Sequence, residues 1–390
     1  IILYFEEVVF MEILNYTIAH CQFRERLQNF LAKEVTPFVD KWEEEKIVPK
    51  SVWQKMGQAG FLCMDVMPEY GGIGGDFLYS VVVAEELTRT WHTGLAAFLH
   101  SDIVVPYINS YGSEETKQKY LPGCVSGDIV TAVAMTEPGA GSDLAGIKTA
   151  AVEEGDEVVI DGSKTFISNG INADIVVVAA RDPEIENSYD AISLYIVESE
   201  TSGFTRGRHL EKMGMWSQDT AELFFSKCRI PLANRLGEKG QGFLMLMEKL
   251  QQERLMCAIG AVATAERVNE WIADYCKNST VNGKPLSKSQ ATQFSLVEMA
   301  TDVKLGRTFV DKLIMDHLEK QNIIIETSMA KYWTTDMLNR VVNRAVDLCG
   351  EYATLEKCPL ARAWRDAKIM TIFAGTNEIM KNIAAKFMGM

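Results

Sequence analysis

Residues 135–144 read Met-Thr-Glu-Pro-Gly-Ala-Gly-Ser-Asp-Leu and follow an apolar, β-branched run at 129–134. The apolar run predicts a buried strand. A proline and two glycines then end the strand in a turn, which exposes backbone N–H groups and lets the Ser142 hydroxyl donate to an anion. Two interpretations stay open. One is a strand-ending turn with polar side chains, the commoner use of these residue types, and the other is a cradle for a phosphorylated cofactor.

The composition is that of a globular protein with room for two or three domains. Of the 390 residues, 47% are hydrophobic and 24% are charged, and the formal net charge is −14. The negative charge argues against nucleic acid as a partner and against a broad basic membrane patch. Because no apolar run is long enough to span a bilayer, we expect no stable membrane insertion.

The cysteines and histidines point to no metal or disulfide framework. Eight cysteines are scattered without a Cys-x-x-Cys pair, mostly in apolar runs, which predicts buried thiols in a reducing compartment. The five histidines lack metal-ligand spacing, so no metal site is expected. Residues 1–19 are apolar and acidic without arginine, unlike a mitochondrial presequence, and the first residue is Ile1. We therefore expect a trimmed or incomplete start.

The hydrophobic period changes twice along the chain. It is helical from about residue 23 to 127, close to two from 128 to about 237, and helical again from 242 to the end, which predicts domains over 1–127, 128–238 and 239–390. The last part predicts four segments, at about 241–276, 288–318, 323–350 and 360–387. These lengths suit a four-helix bundle. The sequence thus predicts an α+β protein with an N-terminal all-α domain, a middle β-domain and a C-terminal helical bundle.

A carboxylate stands on a helical face of small residues near the start of the last part. Three small residues follow Glu253 on the same face: Cys257, Gly260 and Thr264. If this face borders a cavity, desolvation would raise the pKa of Glu253 towards that of a working base. The alternative is a solvated carboxylate paired with Arg254 or Lys249, and periodicity alone favours it.

Two further segments combine a turn with residues that can contact a ligand. Residues 161–170 (Asp-Gly-Ser-Lys-Thr-Phe-Ile-Ser-Asn-Gly) can stack Phe166 on a planar cofactor beside the Ser168 hydroxyl, or form a β-turn with one core phenylalanine. Residues 365–379 predict a helix that breaks at Ala374-Gly375-Thr376 and restarts with Thr376 as its N-cap. The break presents N–H groups to a ligand, or is a simple helix corner.

These segments occur together with two others in a fixed order, Lys212-Met213-Gly214 and residues 219–223 (Asp-Thr-Ala-Glu-Leu). The set resembles the acyl-CoA dehydrogenase family from about residue 20 to residue 386. Three segments look most like the long-chain acyl-CoA dehydrogenases, with the isovaleryl-type enzymes next: Thr136–Leu144, 252–255 (Gln-Glu-Arg-Leu) and 375–381 (Gly-Thr-Asn-Glu-Ile-Met-Lys).

The resemblance implies a fold, a cofactor and a reaction. The family has an N-terminal helical domain, a β-barrel-like middle domain and a C-terminal four-helix bundle, usually in a homotetramer and sometimes a dimer. It binds FAD and oxidises acyl-CoA to trans-2-enoyl-CoA in fatty-acid β-oxidation. A carboxylate removes the α-proton while the β-hydride goes to flavin N5. Electrons leave through electron-transfer flavoprotein, and the family's location implies the mitochondrial matrix.

The resemblance also assigns roles to residues. In most of the family the base lies in a C-terminal Glu-Gly-Thr, where this chain has Ala374; in the long-chain and isovaleryl subgroups it lies where Glu253 stands. The resemblance therefore implies Glu253 as the base, the Ala374 backbone N–H as a donor to the thioester carbonyl, and Arg254 on the substrate side. Alanine at 374 leaves room for long or methyl-branched chains. The implied flavin contacts are Met135, Thr136, Gly141, Ser142 (which also faces CoA), Phe166, Ser168, Thr376 and Glu378.

Two segments depart from the family pattern. Where the family has Arg-x-x-Phe-Gly from the neighbouring subunit, this chain has Ser279 and Asn282 in place of the arginine and phenylalanine. Where the family has Gln-x-x-Gly-Gly-x-Gly, it places Asp347 and Glu351. Losing one charge-assisted hydrogen bond, at about 1.5–3 kcal/mol, and adding like charge would weaken FAD binding by about one to three orders of magnitude. The alternative function is a catalytically impaired paralogue that binds acyl-CoA as a sensor or sequestering protein.

Overall fold

The computed structural model describes residues 13–390. Residues 1–12 lie outside the described residues, and with them most of the 1–19 segment discussed above. Helices come first, then strands, then helices again, so the α–β–α order predicted from the sequence is confirmed. The domain boundaries at 127/128 and 238/239 stay predictions.

Six α-helices occupy the N-terminal part from residue 13 onward: α1 Ile18–Glu34, α2 Val39–Glu45, α3 Lys50–Gln58, α4 Phe77–Arg89, α5 Val105–Tyr111 and α6 Glu114–Ser126. The segment directly before α5 is not α-helical, because Leu99–Val104 forms a π-helix. Pro106 lacks the N–H that would bond the Asp102 carbonyl in an α-helix. That carbonyl instead accepts from Gln252 Nε2 at 2.6 Å.

One eight-stranded sheet forms the middle part, in the order β6-β7-β3-β2-β4-β5-β8, with β1 paired parallel to β4. Its strands are β1 Thr131–Ala134, β2 Ala150–Glu154, β3 Glu157–Ser168, β4 Ile175–Arg181, β5 Ile192–Glu198, β6 Phe204–His209, β7 Thr220–Pro231 and β8 Arg235–Leu236. β4 and β5 are buried along almost their whole length, as their continuous apolar runs require. β1 delivers the chain directly into the turn at 135–144.

The C-terminal part contains α7 Gly242–Asn278, α8 Gln290–Leu318, α9 Ile324–Cys349, α10 Pro359–Ala367 and α11 Asn377–Phe387. A short hairpin, β9 Thr280–Val281 and β10 Lys284–Pro285, joins α7 to α8. The single segment expected over 360–387 is therefore two helices. It breaks because Ala374 and Gly375 adopt left-handed backbone angles, with φ of 54° and 89°, that no right-handed helix accommodates.

Buried apolar side chains tie the three parts together. One cluster joins the N-terminal helices to β4, β5 and the start of α7, and another packs α7, α8 and α9 against α4. The prediction of buried thiols is confirmed for seven of the eight cysteines, all of which are free; Cys21 is exposed. Within residues 13–390, no helix is both long and apolar enough to cross a membrane.

Candidate active site

The turn after β1 is held by a buried carboxylate. Glu137 and Ala140 exchange two backbone hydrogen bonds, at 2.9 and 3.1 Å, across the Pro-Gly tip. The Glu137 carboxylate accepts from the Thr149 N–H at 2.9 Å, from Lys164 Nζ at 2.8 Å and from the Lys148 N–H at 2.7 Å. These donors hold the pKa of Glu137 below its ordinary value although burial opposes this. The turn is therefore fixed from β2 and β3.

The tip of this turn faces open space and offers free donors. Gly141 and Ser142 are exposed, and their backbone N–H groups donate to no acceptor within residues 13–390. A Cβ placed on Gly139 or Gly141 would contact nothing within 4 Å. Successive unpaired N–H groups in a turn form an anion-binding concavity. These residues fit the pyrophosphate of a dinucleotide such as FAD.

A bulge in β3 presents Phe166 to solvent beside that turn. The β3–β7 register shifts between Lys164 and Ile167, and Phe166 takes a left-handed φ of 58° with 68% of its surface exposed. Bulges redirect side chains, and left-handed non-glycine residues cost about 1–3 kcal/mol and cluster at functional sites. The interpretation of Phe166 as a core residue is wrong. Ser168 closes the strand opposite Thr220, and the Thr165 N–H donates to the Thr136 carbonyl at 2.9 Å.

The break between α10 and α11 forms a second corner with free donors. The Ala374 N–H has no acceptor among the described residues, and Ala374 itself is partly buried. Thr376 caps α11 as expected, because its side chain accepts from the Ile379 N–H at 3.3 Å. Glu378 is exposed in the first turn of α11, where backbone N–H groups lower its pKa.

Glu253 is not the solvated carboxylate that periodicity favoured. Its Oε2 is buried without a hydrogen-bond partner, and it forms no salt bridge with any described residue. Burial raises its pKa from 4.5 to about 7, although Arg254 and Lys331 act in the opposite direction. Glu253 therefore has the properties of a general base that works near neutral pH.

Arg254 is buried to 4% exposure and also lacks a carboxylate partner within residues 13–390. Burial lowers its pKa. An unpaired buried guanidinium is costly unless a ligand or another charge compensates it. The arrangement leaves Arg254 available to an anionic or carbonyl group.

Packing between the sheet and the C-terminal helices links these segments. The loop before β7 contacts α10 at Gly214, where a Cβ would lie 2.5 Å from the Arg365 carbonyl oxygen, and the Met215 N–H donates to Asp366. The same loop donates from Gln218 Nε2 to the Asn169 side chain at 2.9 Å, directly after the β3 bulge. Lys331 on α9 links Glu253 to the second corner: its charge lowers the pKa of Glu253, and its Nζ donates to the Gly375 carbonyl.

Sequence reasoning missed three charged residues that hold these segments: Glu137, Lys164 and Lys331. Lys164 and Lys331 are fully buried, whereas lysines are almost always exposed. No sequence signal marks the burial of Lys164, because its neighbours in β3 are the polar residues Ser163 and Thr165. Lys331 gave no clear signal either, because the buried residues one turn away on its helical face are polar, among them Thr327 and Thr334.

The two segments that depart from the family pattern lie side by side. Tyr275 near the end of α7 donates to the Cys349 carbonyl at 3.2 Å and stacks on Tyr352. Asp347 and Glu351 are exposed there. Asn282 and Gly283, with φ of 52° and 77°, form the two-residue loop of the β9–β10 hairpin, for which Asn-Gly is the favoured sequence.

Comparison with known proteins identifies the family. Three family models match in sequence: the N-terminal domain of acyl-CoA dehydrogenase over 17–128, the middle domain over 132–228 and the C-terminal domain over 240–389. The rat mitochondrial long-chain specific acyl-CoA dehydrogenase is 40% identical over 368 residues, which cover 94% of this chain and 86% of the relative. The chain belongs to the acyl-CoA dehydrogenase family. The resemblance inferred from the sequence is thereby confirmed.

Members of this family from other sources are also similar. An acyl-CoA dehydrogenase of Bacillus subtilis is 33% identical, covering 96% of this chain and 99% of the relative. The crystal structure of an acyl-CoA dehydrogenase from Geobacillus kaustophilus is 51% identical with a TM-score of 0.95, covering 96% of this chain and 99% of the other. The family consists of FAD-dependent oxidoreductases that act on CH–CH bonds, and this chain is a member of that class.

Proposed function

We propose that this chain catalyses α,β-dehydrogenation of a long-chain or methyl-branched acyl-CoA to trans-2-enoyl-CoA, with Glu253 as the base. The observation that carries the proposal is the half-buried Glu253 carboxyl group, whose Oε2 is buried without a hydrogen-bond partner and whose pKa is raised by burial to about 7. A base with this pKa is about half ionised at neutral pH and is more basic than an ordinary carboxylate, which suits it to remove an α-proton. The position that carries the base in most of the family holds Ala374, so no second carboxylate there competes for the role.

The residues around the reacting carbons would divide the work. Glu253 would take the α-proton, and the free N–H of Ala374 would donate to the thioester carbonyl, which gains negative charge as the proton leaves. Arg254, which is buried and has no carboxylate partner among the described residues, would contact the substrate next to Glu253. Bound FAD supplies the acceptor for the β-hydride. Burial strengthens each of these interactions because little water competes.

The flavin contacts fall into two groups in this proposal. Around the first turn, Gly141 and Ser142 would bind the pyrophosphate through free N–H groups and the Ser142 hydroxyl, which also faces CoA. Phe166 and Ser168 would flank the flavin ring, and four further contacts complete the assignment: Met135, Thr136, Thr376 and Glu378. The exposure of Phe166 supports its role, since a large apolar side chain in solvent indicates a binding surface.

A second candidate function rests on the α7 and α9 ends. If a partner subunit's FAD lies against this surface, Asp347 and Glu351 would repel its pyrophosphate, and Ser279 provides no cation. Lys277 is already paired with Asp274 at 3.0 Å, and Lys357 lies over the Tyr352 ring. These observations favour a catalytically impaired paralogue that binds acyl-CoA as a sensor or sequestering protein.

Partners and location follow from the same proposal. Three exposed apolar side chains lie along α8, Phe294, Val297 and Leu305, and support self-association as a homotetramer or dimer. Electron-transfer flavoprotein is the proposed electron acceptor. The rat relative is mitochondrial and supports the matrix, whereas the Bacillus and Geobacillus relatives are bacterial and do not.

A flavin spectrum of the purified protein tests the proposal. We expect a yellow protein whose flavin absorbance bleaches under anaerobic conditions when palmitoyl-CoA is added, with isovaleryl-CoA as the comparison for branched chains. Glu253→Gln should bind palmitoyl-CoA without bleaching, whereas Glu248→Gln, an exposed glutamate on the same helix, should behave as the unmodified protein. A colourless protein that binds palmitoyl-CoA but takes up no FAD on reconstitution would support the sensor function. Unchanged turnover in Glu253→Gln would refute the base assignment.

A further inference from the structure

Lys331 is a fully buried cation near the middle of α9. Its Nζ donates to the Gly375 carbonyl at 2.7 Å and to the Asn377 side-chain oxygen at 3.1 Å. No carboxylate lies within salt-bridge distance of it in the described part of the chain. Burial lowers its pKa. Burying an ammonium without a carboxylate partner costs desolvation free energy. Because both hydrogen bonds of Lys331 end on one corner, we expect its role to lie in that corner.

Consecutive turns of α9 hold the same corner through Asn377, the first residue of α11. The Asn377 side-chain N–H₂ donates to Thr335 Oγ1 at 3.0 Å, to Asp336 Oδ1 at 2.9 Å and to the Tyr332 carbonyl at 3.2 Å. The side-chain oxygen is taken by Lys331 and Thr335. Both ends of this amide are thus hydrogen-bonded to one helix, which holds the start of α11 against α9.

The corner needs such support because its backbone is strained. Ala374 has a φ of 54°, which costs an alanine about 1–2 kcal/mol relative to the right-handed conformation. Gly375 continues with a φ of 89°. The Lys331 bond to the Gly375 carbonyl fixes the peptide that follows the strained pair, so the pair cannot relax into a helical turn.

We propose that Lys331 is a positioning residue that locks the Ala374–Asn377 corner and thereby fixes the direction of the Ala374 N–H. This inference rests on the proposed function, in which that N–H donates to the thioester carbonyl. Lys331 touches neither substrate nor cofactor in the proposal. It acts through the corner and through its charge.

The charge of Lys331 reaches Glu253 as well. The titratable and charged groups that face Glu253 are Arg254 and Cys257 on α7, Lys331 on α9 and Tyr107 on α5. Arg254 and Lys331 lower the pKa of Glu253, whereas burial raises it. Removing the ammonium should therefore raise the pKa of Glu253 further, so that turnover falls at a higher pH than in the unmodified protein. This effect adds to the loss of the fixed direction of the Ala374 N–H.

Lys331→Met tests the inference, because methionine keeps a similar length without the charge or the donors. The control is Lys304→Met, an exposed lysine on α8. We expect kcat with palmitoyl-CoA to fall about 10²-fold, as for loss of one oxyanion donor, with KM changed less than about threefold. The acid limb of the kcat/KM profile should also move to higher pH. Flavin content, read from absorbance, should equal that of the control.

A second variant separates the corner from the charge. Asn377→Ala removes one acceptor of Lys331 and the hydrogen bonds that hold the start of α11 against α9, but it keeps the ammonium. We therefore expect kcat to fall while the acid limb of the kcat/KM profile stays at the same pH. This variant carries the test if Lys331→Met does not fold. Loss of bleaching in the unmodified protein would contradict the proposed function itself. Normal bleaching there, together with a kcat in Lys331→Met or Asn377→Ala equal to that of Lys304→Met, would overturn the role of Lys331.

Discussion

The protonation of Glu253 gives the sharpest quantitative expectation. Burial raises its pKa from 4.5 to about 7, a shift on the order of 3 kcal/mol in favour of the neutral acid. As a base it must be ionised. We therefore expect kcat/KM for palmitoyl-CoA to fall about tenfold for each pH unit below about 7 and to level off above it. A stopped-flow record of flavin bleaching across pH 5–9, about this window, measures the limb directly.

The neighbouring arginine fixes the sign of a variant's effect. Arg254 lowers the pKa of Glu253, so Arg254→Met should move the acid limb to higher pH as well as weaken substrate binding. Lys304→Met, an exposed change on α8, should leave the limb in place. A limb that moves to lower pH in Arg254→Met would contradict this reading of the charges.

Stability provides a second readout that does not depend on turnover. The folded pKa of Glu253 lies above its ordinary value, so its contribution to the unfolding free energy is fully present below pH 4.5 and is lost as pH rises towards about 7. Glu253→Gln removes that dependence. As pH rises from 4.5 to about 7, the unfolding free energy of the variant, measured in urea, should therefore increase relative to that of the unmodified protein by on the order of 3 kcal/mol. The reasoning would be refuted if kcat/KM fell only near pH 4.5 and the difference in unfolding free energy between Glu253→Gln and the unmodified protein did not vary with pH.

Three further changes test the supporting structure. Lys164→Met leaves the Glu137 carboxylate buried without its cation, so it should lower the unfolding free energy by about 3–5 kcal/mol and release flavin. The control Lys227→Met, at an exposed lysine, should change neither property. Urea unfolding measures the stability, and flavin absorbance measures the bound cofactor. Ala374→Gly relieves left-handed strain but adds unfolded-state entropy, so stability should change by less than about 1 kcal/mol and kcat should persist; a lost kcat would mean that the alanine side chain matters. Asp347→Asn should tighten FAD binding about tenfold in a titration of apoprotein, and no change would remove this carboxylate from the flavin site.

Local chemistry made part of the site predictable. Thr376 was recognisable as an N-cap because its hydroxyl needs only the next turn of its own helix. The turn at 135–144 was recognisable because proline and glycine end a strand wherever it packs. The π-helical segment was also within reach, since Pro106 removes one donor regardless of tertiary context.

The long-range part could not be read from spacing. Periodicity favoured a solvated Glu253. The structure instead half-buries it and leaves its Oε2 buried without a hydrogen-bond partner, because α7 packs against α4, α8 and α9, which no local pattern encodes. Lys164 and Lys331 were missed for the same reason. A buried lysine is justified only by acceptors brought from elsewhere: the Glu137 carboxylate and the Gly375 carbonyl.

The two departures from the family pattern form one surface and not two. Hydrogen bonding and stacking by Tyr275 bring the ends of α7 and α9 together, so Ser279 and Asp347 would face any flavin of a partner subunit jointly. In that arrangement the missing cation and the added carboxylate would act on the same phosphate, and their effects should not be additive. Because Lys277 forms an ion pair with Asp274, removing the Asp274 carboxylate would make the Lys277 ammonium available at this surface. Asp274→Asn should therefore recover part of the FAD affinity that Asp347→Asn recovers, and the double variant should gain less than the sum of the two.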